Sequence, residues 1–348
     1  MRVLQLGPYP PPHGGVQSNL VAIRTFLRKS QIPCSVINIT RHRKPDADEV
    51  YYPESAWQLV GLLRSLPYDI LHLHIGGMLS HRLMALALVC TAMPKRKSVL
   101  SFHSGGYPST PEGKATGPRS FAALVLRRFD AVIGVNPEIM NFFAKLGVAP
   151  SHAHLIYPHA FLADQGPAEE LPEPLATFYD QHSPLLMSVG LLEPEYDLPL
   201  QMEVIGQVRA KHPNAGLVMI GSGSLEDNLR RQMQAKPFAQ HMLLCGDVPH
   251  APTMQAIQRA DVMLRTTLYD GDAVSVREAL HLGTPVIASD NGMRPAGVRL
   301  IPRSNLEALQ QAIEEALRAP RNEPQAAAPD ESNLQAVLDL YRRLLGKK

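Results

Sequence analysis

Short apolar runs alternate along the chain with longer segments whose apolar residues recur every three or four positions. The short runs are typical of strands buried on both faces, and the longer segments are typical of amphipathic helices. Their alternation predicts βαβ units and therefore parallel sheets. The predicted strands are Arg2–Leu6, Ser35–Ile39, Ile70–His74, Ser98–His103, Ala131–Val135, Leu185–Val189, Gly216–Ile220, Met242–Cys245, Val262–Leu264 and Pro285–Ala288.

Two Pro-rich segments, at 163–182 and 319–332, interrupt this alternation and indicate connectors. We therefore predict an N-terminal domain at 1–163, a second domain at 183–318, and a connector with a terminal helix that packs back on the body at 319–348. Ser224 with Asp227 resembles a capping box. The predicted helices are Val16–Lys29, Ser55–Ser65, Ser80–Thr91, Arg119–Arg127, Pro137–Leu146, Leu198–Lys211, Ser224–Gln234, Thr253–Arg259, Ser275–Leu282 and Leu334–Leu345.

Composition supports a soluble, two-domain protein. The 348 residues are 45% hydrophobic and 19% charged, which excludes a fibrous or wholly disordered chain. The longest apolar run, Leu83–Met93, has 11 residues, and a membrane span needs about 18. Gln5 and Gly7 break the N-terminal apolar run before it resembles a signal peptide. Three widely spaced cysteines favour a reducing compartment, so we predict a cytoplasmic location.

The formal charge of +2 gives no reason to expect a nucleic-acid partner. However, residues 1–160 hold 17 basic and 8 acidic residues, a net charge of +9, and the remainder carries −7. Basic clusters at 95–97 and 127–128 contribute to this asymmetry. Two interpretations stay open: peripheral contact with an anionic membrane surface, and a basic face that is merely solvated.

Residues that follow the strands are the candidates for chemistry, because ligands of open α/β sheets bind beyond the carboxyl ends of the strands. Gly14 and Gly15 end a Pro-rich loop before a helix, where backbone amides could bind a phosphate; a stiffened turn is the alternative. His103 ends a strand, as do His72 and His74. Zinc binding by these three histidines is conceivable, but a structural role is favoured because no carboxylate or cysteine has matching spacing.

The segment 266–280 is the most informative. A strand ends, Asp270, Gly271 and Asp272 form a loop, and Glu278 lies on the helix that follows. An acid near a helix start can simply complement the dipole, but the arrangement also suits sugar and phosphate binding. The Asp-Gly-Asp sequence resembles a metal-binding motif of another transferase fold, and its place late in the second domain argues against that role.

Over nearly its whole length the chain resembles the retaining nucleotide-sugar glycosyltransferases of family 4, which have the two-domain GT-B fold. The resemblance implies two Rossmann-like, doubly wound parallel-sheet domains that face a cleft, with the acceptor on the N-terminal side and the nucleotide sugar on the C-terminal side. The stretches that carry it are GPYPPPHGGVQ, YDILHLHIGG, SVLSFHSGG, LLMSVGLLEPE, GLVMIGSGSLEDNLRR and RADVMLRTTLYDGDAVSVREALHLGTPVIASDNG.

The family grips its donor with two glutamates separated by seven residues, and here Asp270 and Glu278 hold these positions. The resemblance implies Glu278 on the ribose and the loop from Asp270 to Ala273 on the transferred sugar. It also implies a diphosphate over the glycine loop and a histidine near the sugar, which makes His103 and Asp270 the catalytic candidates. The donor-binding residues that the resemblance implies are Gly14, Gly15, Gly271, Asp272, Ala273, Ser275, Val276 and Glu278, and their positions at strand ends add Gly190 and Arg265 as candidates.

One departure from the family concerns charge. Its usual Arg and Lys, which neutralise the leaving diphosphate, correspond here to Leu191 and Tyr196. Each such donor can contribute about 3 kcal/mol to transition-state stabilisation. Arg265 is our candidate substitute, with Arg277 and Arg294 as weaker ones.

The resemblance implies a retaining, metal-independent glycosyltransferase without a cofactor. It would move a hexose-type sugar from a nucleoside diphosphate to a hydroxyl of a saccharide or lipid-linked acceptor, in cell-surface polysaccharide or glycolipid synthesis. The leaving phosphate oxygen would assist deprotonation of the acceptor. Two alternatives stay open: a noncatalytic sugar-nucleotide-binding protein, favoured by the missing cations, and a nucleotide-sugar epimerase.

Overall fold

The chain divides into two units, each built on one parallel sheet. Unit 1 comprises Met1–Phe161 and Asp330–Lys348, and unit 2 comprises Leu162–Pro329. The structure, a computed structural model, describes residues 1–10, 14–40, 48–158, 170–270, 273–292, 294–320 and 331–346.

Unit 1 has a seven-stranded sheet in the order β3-β2-β1-β4-β5-β6-β7, with every pairing parallel. Strand order reverses between β1 and β4, which makes their carboxyl ends a topological switch point. The strands are Val3–Gly7 (β1), Cys34–Asn38 (β2), Val50–Tyr51 (β3), Ile70–Ile75 (β4), Lys97–Phe102 (β5), Ala131–Gly134 (β6) and Ala153–Leu155 (β7). The helices are Gly15–Lys29 (α1), Ala56–Ser65 (α2), His81–Thr91 (α3), Pro111–Ala115 (α4), Phe121–Leu126 (α5) and Pro137–Lys145 (α6).

Unit 2 repeats the plan with a six-stranded parallel sheet in the order β10-β9-β8-β11-β12-β13, and its switch point lies between β8 and β11. The strands are Leu185–Val189 (β8), Gly216–Ile220 (β9), Met242–Gly246 (β10), Val262–Arg265 (β11), Val286–Ser289 (β12) and Arg299–Ile301 (β13). The helices are Leu175–Gln181 (α7), Leu198–Val208 (α8), Glu226–Gln234 (α9), His250–Arg259 (α10), Val274–His281 (α11) and Leu306–Arg318 (α12).

The last helix, Ser332–Leu344 (α13), belongs to unit 1, where it packs against α1. It buries Leu334, Val337, Leu338, Leu340 and Tyr341. Unit 1 therefore draws part of its core from the end of the sequence.

The predicted fold class is confirmed, because both units are doubly wound parallel sheets. The hydrophobic pattern does not predict β3, β7 or β13, because these edge strands of two or three residues are too short to show a period. Neither α4 nor α12 is predicted. The assignment of 163–182 as a connector is wrong for its second half, where α7 buries Leu175, Phe178 and Tyr179.

The predicted capping box at Ser224 is also wrong. Helix α9 begins at Glu226, with Leu225 at the cap position. The backbone amide and hydroxyl of Ser224 donate instead to the Glu193 carboxylate, at 2.8 and 2.5 Å. Among the residues that the structure describes, no helix is both long and apolar enough to cross a membrane.

Candidate functional site

The carboxyl ends of β8 and β11 lie side by side at the switch point of unit 2. Gly190 directly follows β8, and Arg265 is the last residue of β11. Because the crevice at such a point is the usual ligand site of an open α/β sheet, these two residues hold the position that their predicted donor-binding role requires.

The Arg265 guanidinium is almost fully buried, with 7% of its side chain exposed, and it contacts three groups. Its Nε donates to Asp270 Oδ2 at 2.7 Å, and its Nη1 donates to the Val189 carbonyl at 2.8 Å. Its Nη2 lies 3.4 Å from the Tyr196 hydroxyl, and the guanidinium stacks over the Tyr196 ring, 4.7 Å from the centroid. These contacts fix both the position and the plane of the cation.

The Asp270 carboxylate receives three donors on the same oxygen. Besides Arg265, Oδ2 accepts from Arg294 Nη1 at 3.0 Å and from Thr267 Oγ1 at 3.3 Å. Burial would raise the pKa of Asp270, but the charge and hydrogen bond of Arg265, followed by those of Arg294, hold the pKa below its ordinary value. The carboxylate is therefore ionised at neutral pH, and its role as a sugar contact would fall to the oxygen Oδ1.

We call Arg265, Asp270 and Arg294 the Arg–Asp cluster. Two guanidinium groups and one carboxylate give these three groups a net charge of +1. Their side chains are 7%, 14% and 2% exposed. A fixed, largely buried guanidinium makes strong charge-assisted hydrogen bonds to carboxylate and phosphate groups, so the cluster is suited to bind an anionic ligand.

The cluster bears directly on the absence of the family's Arg and Lys, whose positions Leu191 and Tyr196 hold. Leu191 is 54% exposed, whereas the Tyr196 ring supports Arg265. A cation thus lies against the side chain that replaces the family lysine. Arg294, a weaker candidate, contacts the same carboxylate oxygen as Arg265, while Arg277 lies half-buried on α11.

Gly190 leaves the space that this stacking needs. A Cβ at Gly190 would lie 2.2 Å from Tyr196 Cε1 and 2.9 Å from Arg265 Nη1. Both distances are below the closest approach of nonbonded atoms, so any side chain there displaces the phenol ring.

We therefore expect Gly190→Ala to lower the free energy of unfolding by about 1–3 kcal/mol and to weaken binding of the nucleoside diphosphate that the family resemblance implies. Urea unfolding and calorimetric titration of the variant measure the two effects. Gly61→Ala is the matched control, because a Cβ at Gly61 meets nothing within 4 Å. Equal effects of the two substitutions would contradict the packing argument.

The start of α11 holds the next group of predicted donor residues. Ala273 occupies the cap position, and Ser275 lies in the first turn. The Val276 amide donates to the Ala273 carbonyl at 3.1 Å, so a phosphate contact through that amide would require this bond to open. Gly271 and Asp272 lie outside the described residues.

Glu278 lies further along α11 and is 3% exposed. Its Oε1 is 2.6 Å from His250 Nε2, at the start of α10. Burial would lower the pKa of His250, but the hydrogen bond and the charge of Glu278 raise it above its ordinary value. Glu278, the residue predicted to bind the ribose, thus forms a hydrogen bond with a histidine.

In unit 1, Gly15 is the first residue of α1 and Gly14 is its cap. The φ of Gly14 is −160°, an extended conformation open to any residue. A Cβ there would approach only the Gln17 side chain, with 2.9 Å to Oε1. A need for glycine at this position would therefore come from a ligand that approaches the backbone.

His103 follows β5 and contacts the histidines of β4. Its Nε2 lies 3.3 Å from His74 Nδ1, and the rings of His74 and His72 have centroids 4.0 Å apart. His72 Nδ1 is 2.5 Å from the Tyr341 hydroxyl, and its Nε2 is 2.8 Å from Ser101 Oγ. Both nitrogens of His72 are thus engaged, which removes it as a zinc ligand. Throughout the described part of the chain, no group of three or more His, Cys, Asp or Glu side chains could hold a metal ion.

Burial keeps these histidines neutral. It lowers the pKa of His72 to about 3 and that of His103 to about 4, and the pKa of His74 lies well below its ordinary value. A neutral His103 can donate a hydrogen bond from one nitrogen and accept at the other.

The contributions of Tyr196, Thr267 and His250 to the site are not evident from the sequence. In the sequence, Tyr196 stands where the family has a lysine, and nothing indicates that its ring supports another cation. His250 precedes Glu278 by 28 positions, so no local spacing links them.

Comparison with known proteins matches both units to glycosyltransferases. The family described as glycosyl transferases group 1 matches residues 176–331, and the glycosyl transferase 4-like domain matches residues 2–159. Over 107 residues, 31% of this chain, the sequence is 26% identical to the glycogen synthase of Mycobacterium tuberculosis. The matched part spans about a quarter of that protein's length, 26%.

Solved structures extend the likeness to nearly the full chain. Sucrose-phosphate synthase from Thermosynechococcus elongatus superposes with a TM-score of 0.70 at 15% identity, covering 99% of this chain and 100% of that one. Anabaena Alr3699/HepE in complex with UDP-glucose gives 0.66 at 16% identity, covering 99% of each. Together with the two family matches, this shared fold shows that the chain belongs to the group 1 glycosyltransferases of the GT-B, family 4 type.

Proposed function

We propose that the protein is a retaining glycosyltransferase that moves a hexose-type sugar from a nucleoside diphosphate sugar to an acceptor hydroxyl. The observation that carries this proposal is the guanidinium of Arg265, which is largely buried at the switch point of unit 2 and is held in one plane by Asp270 and Tyr196. A diphosphate is an anion that such a fixed guanidinium can bind through charge-assisted hydrogen bonds.

The proposed chemistry uses the cluster as the stabiliser of the leaving group. Negative charge grows on the diphosphate as the glycosidic bond breaks, and a fixed guanidinium stabilises this charge without reorganisation. Arg265 fits this role because Tyr196 and Asp270 hold its plane, so the proposal needs no metal ion or cofactor. The leaving phosphate oxygen then assists deprotonation of the acceptor hydroxyl on the same face of the sugar.

The other predicted residues take roles around this centre. Glu278 accepts hydrogen bonds from the ribose diol, and the loop that starts at Asp270 contacts the transferred sugar. On the family resemblance, the proposal assigns the Gly14–Gly15 turn to the diphosphate and His103 to the transferred sugar. The HepE complex with UDP-glucose supports a nucleotide-sugar donor.

For the biological role, we propose synthesis of a cell-surface polysaccharide or glycolipid on a saccharide or lipid-linked acceptor. The protein would work in the cytoplasm and reach lipid-linked acceptors through the basic face of its first 160 residues. Co-sedimentation with vesicles tests this contact: binding that increases with anionic lipid and decreases with salt is expected. Binding indifferent to both would leave the basic residues as a solvated face.

The experiment that tests the activity is a titration with UDP-, GDP- and ADP-sugars, followed by incubation with isotope-labelled donors. We expect binding of one donor class and release of the nucleoside diphosphate, with the anomeric configuration of the donor kept in the product. Binding without turnover across donors and acceptors would favour the noncatalytic alternative. Conversion of the sugar without any acceptor would favour the epimerase.

A further inference from the structure

The carboxylate of Glu278 is held from one side. Its Oε1 lies 2.6 Å from His250 Nε2, and the side chains of the two residues are 4% and 16% exposed. A carboxylate this deeply buried is costly unless a hydrogen-bond donor offsets its lost solvation. His250 provides the donor; burial would lower the pKa of its imidazole, but the hydrogen bond and charge of Glu278 raise it.

The start of helix α10, where His250 lies, is fixed by further hydrogen bonds. His250 is the first residue of α10, and the Thr253 hydroxyl, one turn on, contacts the carbonyls of Val248 and Pro249 at 3.2 and 2.9 Å. Helices α10 and α11 pack against each other. The imidazole therefore approaches the carboxylate from a rigid element.

A hydrogen bond to Oε1 restricts the rotation of the carboxylate and leaves Oε2 to accept from a ligand. The 2′- and 3′-hydroxyls of a ribose are two adjacent donors that fit such an acceptor, whereas a 2′-deoxyribose has lost one of them. The strength of the ribose contact should then depend on how well the carboxylate is oriented.

We propose that His250 is a positioning residue of the donor site, which orients Glu278 toward the ribose diol and so gives the protein its preference for ribonucleotides over 2′-deoxyribonucleotides. This inference rests on the proposed function, because it takes the ligand to be a nucleoside diphosphate.

The test is a calorimetric titration of the full chain with UDP, GDP and ADP and with their 2′-deoxy counterparts. We expect the wild-type protein to bind the ribonucleotide of its preferred base about tenfold or more tightly than the deoxy form, the size of one hydrogen bond to a charged group. His250→Phe, which removes the donor, should weaken ribonucleotide binding about tenfold and change deoxynucleotide binding little, so that the preference collapses.

Two further variants separate positioning from general damage. His250→Gln retains an N–H donor without an ionisable ring and should recover part of the preference, even where His250→Phe folds poorly. His212→Gln is the matched control, since His212 faces another buried glutamate in unit 2, Glu314, at 3.7 Å, and its preference should equal that of the wild type.

The titration distinguishes a failure of the positioning role from a failure of the proposed function. If the wild-type protein binds none of the nucleotides, the proposed function itself is contradicted. If it binds them but both His250 variants keep the wild-type preference, or lose affinity for the two nucleotide forms equally, the positioning role is overturned and the proposed function stands.

Discussion

Replacing Arg265 with leucine is expected to lower the turnover number of the proposed transferase by about 10²–10³-fold. The substitution leaves Asp270 paired with Arg294 and removes one largely buried guanidinium from the Arg–Asp cluster. The developing charge on the diphosphate then loses a fixed hydrogen-bond donor. Turnover of the donor found in the nucleotide-sugar titration, measured at saturation, gives this effect directly.

Three companion variants make the Arg265 result specific. Arg265→Lys keeps the charge without the planar fork and should retain intermediate turnover. In Arg265→Leu combined with Tyr196→Lys, a cation returns at the family's lysine position, and part of the activity should return with it. Arg299→Leu removes an exposed arginine of unit 2 that pairs with Glu315 and should change nothing. Folded Arg265→Leu protein with wild-type turnover would refute the assignment of Arg265 as the substitute cation.

Lowering the pH from 7 to 5 is expected to reduce the unfolding free energy of unit 1 by about 6 kcal/mol through three histidines. His72 and His74 on β4 and His103 after β5 stay neutral in the folded state because burial lowers the pKa of each. The unfolded chain binds these protons below a pKa of about 6.5. Stability is therefore present above that pKa and is lost as the pH falls, by about 2 kcal/mol for each histidine over this interval.

Urea unfolding of the full chain at pH 7, 6 and 5, followed through hydrogen exchange in β4 and β5, measures this loss. His74→Gln should remove about a third of the pH dependence, whatever its effect on stability at pH 7, because a glutamine has no proton to bind. The exposed His81, changed to Gln, is the control and should leave the change of the unfolding free energy with pH unaltered. An identical slope in wild-type and His74→Gln protein would contradict the argument.

The contribution of His250 in unit 2 to stability changes with pH in the opposite direction. Its pKa is raised in the folded state, so its contribution to stability is complete below its unfolded pKa and is lost as the pH rises through the raised value. Acidification thus lowers the stability that the buried histidines give to unit 1, while it preserves the His250–Glu278 contact.

Features that follow from local pattern were predictable from the sequence. Strands such as Leu185–Val189 and Gly216–Ile220 agree to the residue, because buried central strands are continuous apolar runs with polar or glycine ends. The edge strand Val50–Tyr51 has no such run. Helix α7 lies in a Pro- and Glu-rich stretch, and only the packing of Leu175 and Phe178 in unit 2 shows that it is part of the core.

The candidate site was predictable as a set of positions and not as a set of contacts. Motif spacing identified Asp270 and Glu278, and position at a strand end identified Arg265. The stacking of Arg265 on Tyr196, across 69 positions, and the bond of His250 to Glu278 depend on how separate elements pack. No pairwise rule along one strand or helix contains that information.

The contact between Tyr341 and His72 has a consequence for biosynthesis. Unit 2 is continuous in sequence, whereas unit 1 is interrupted and takes its last helix from the final residues of the chain. On the ribosome, where domains generally fold as they emerge, the sheet of unit 1 is synthesised first yet lacks α13 until translation has passed residue 344. Unit 1 is thus completed only after unit 2 has been synthesised, and a nascent chain stalled within unit 2 carries His72 without its phenol partner.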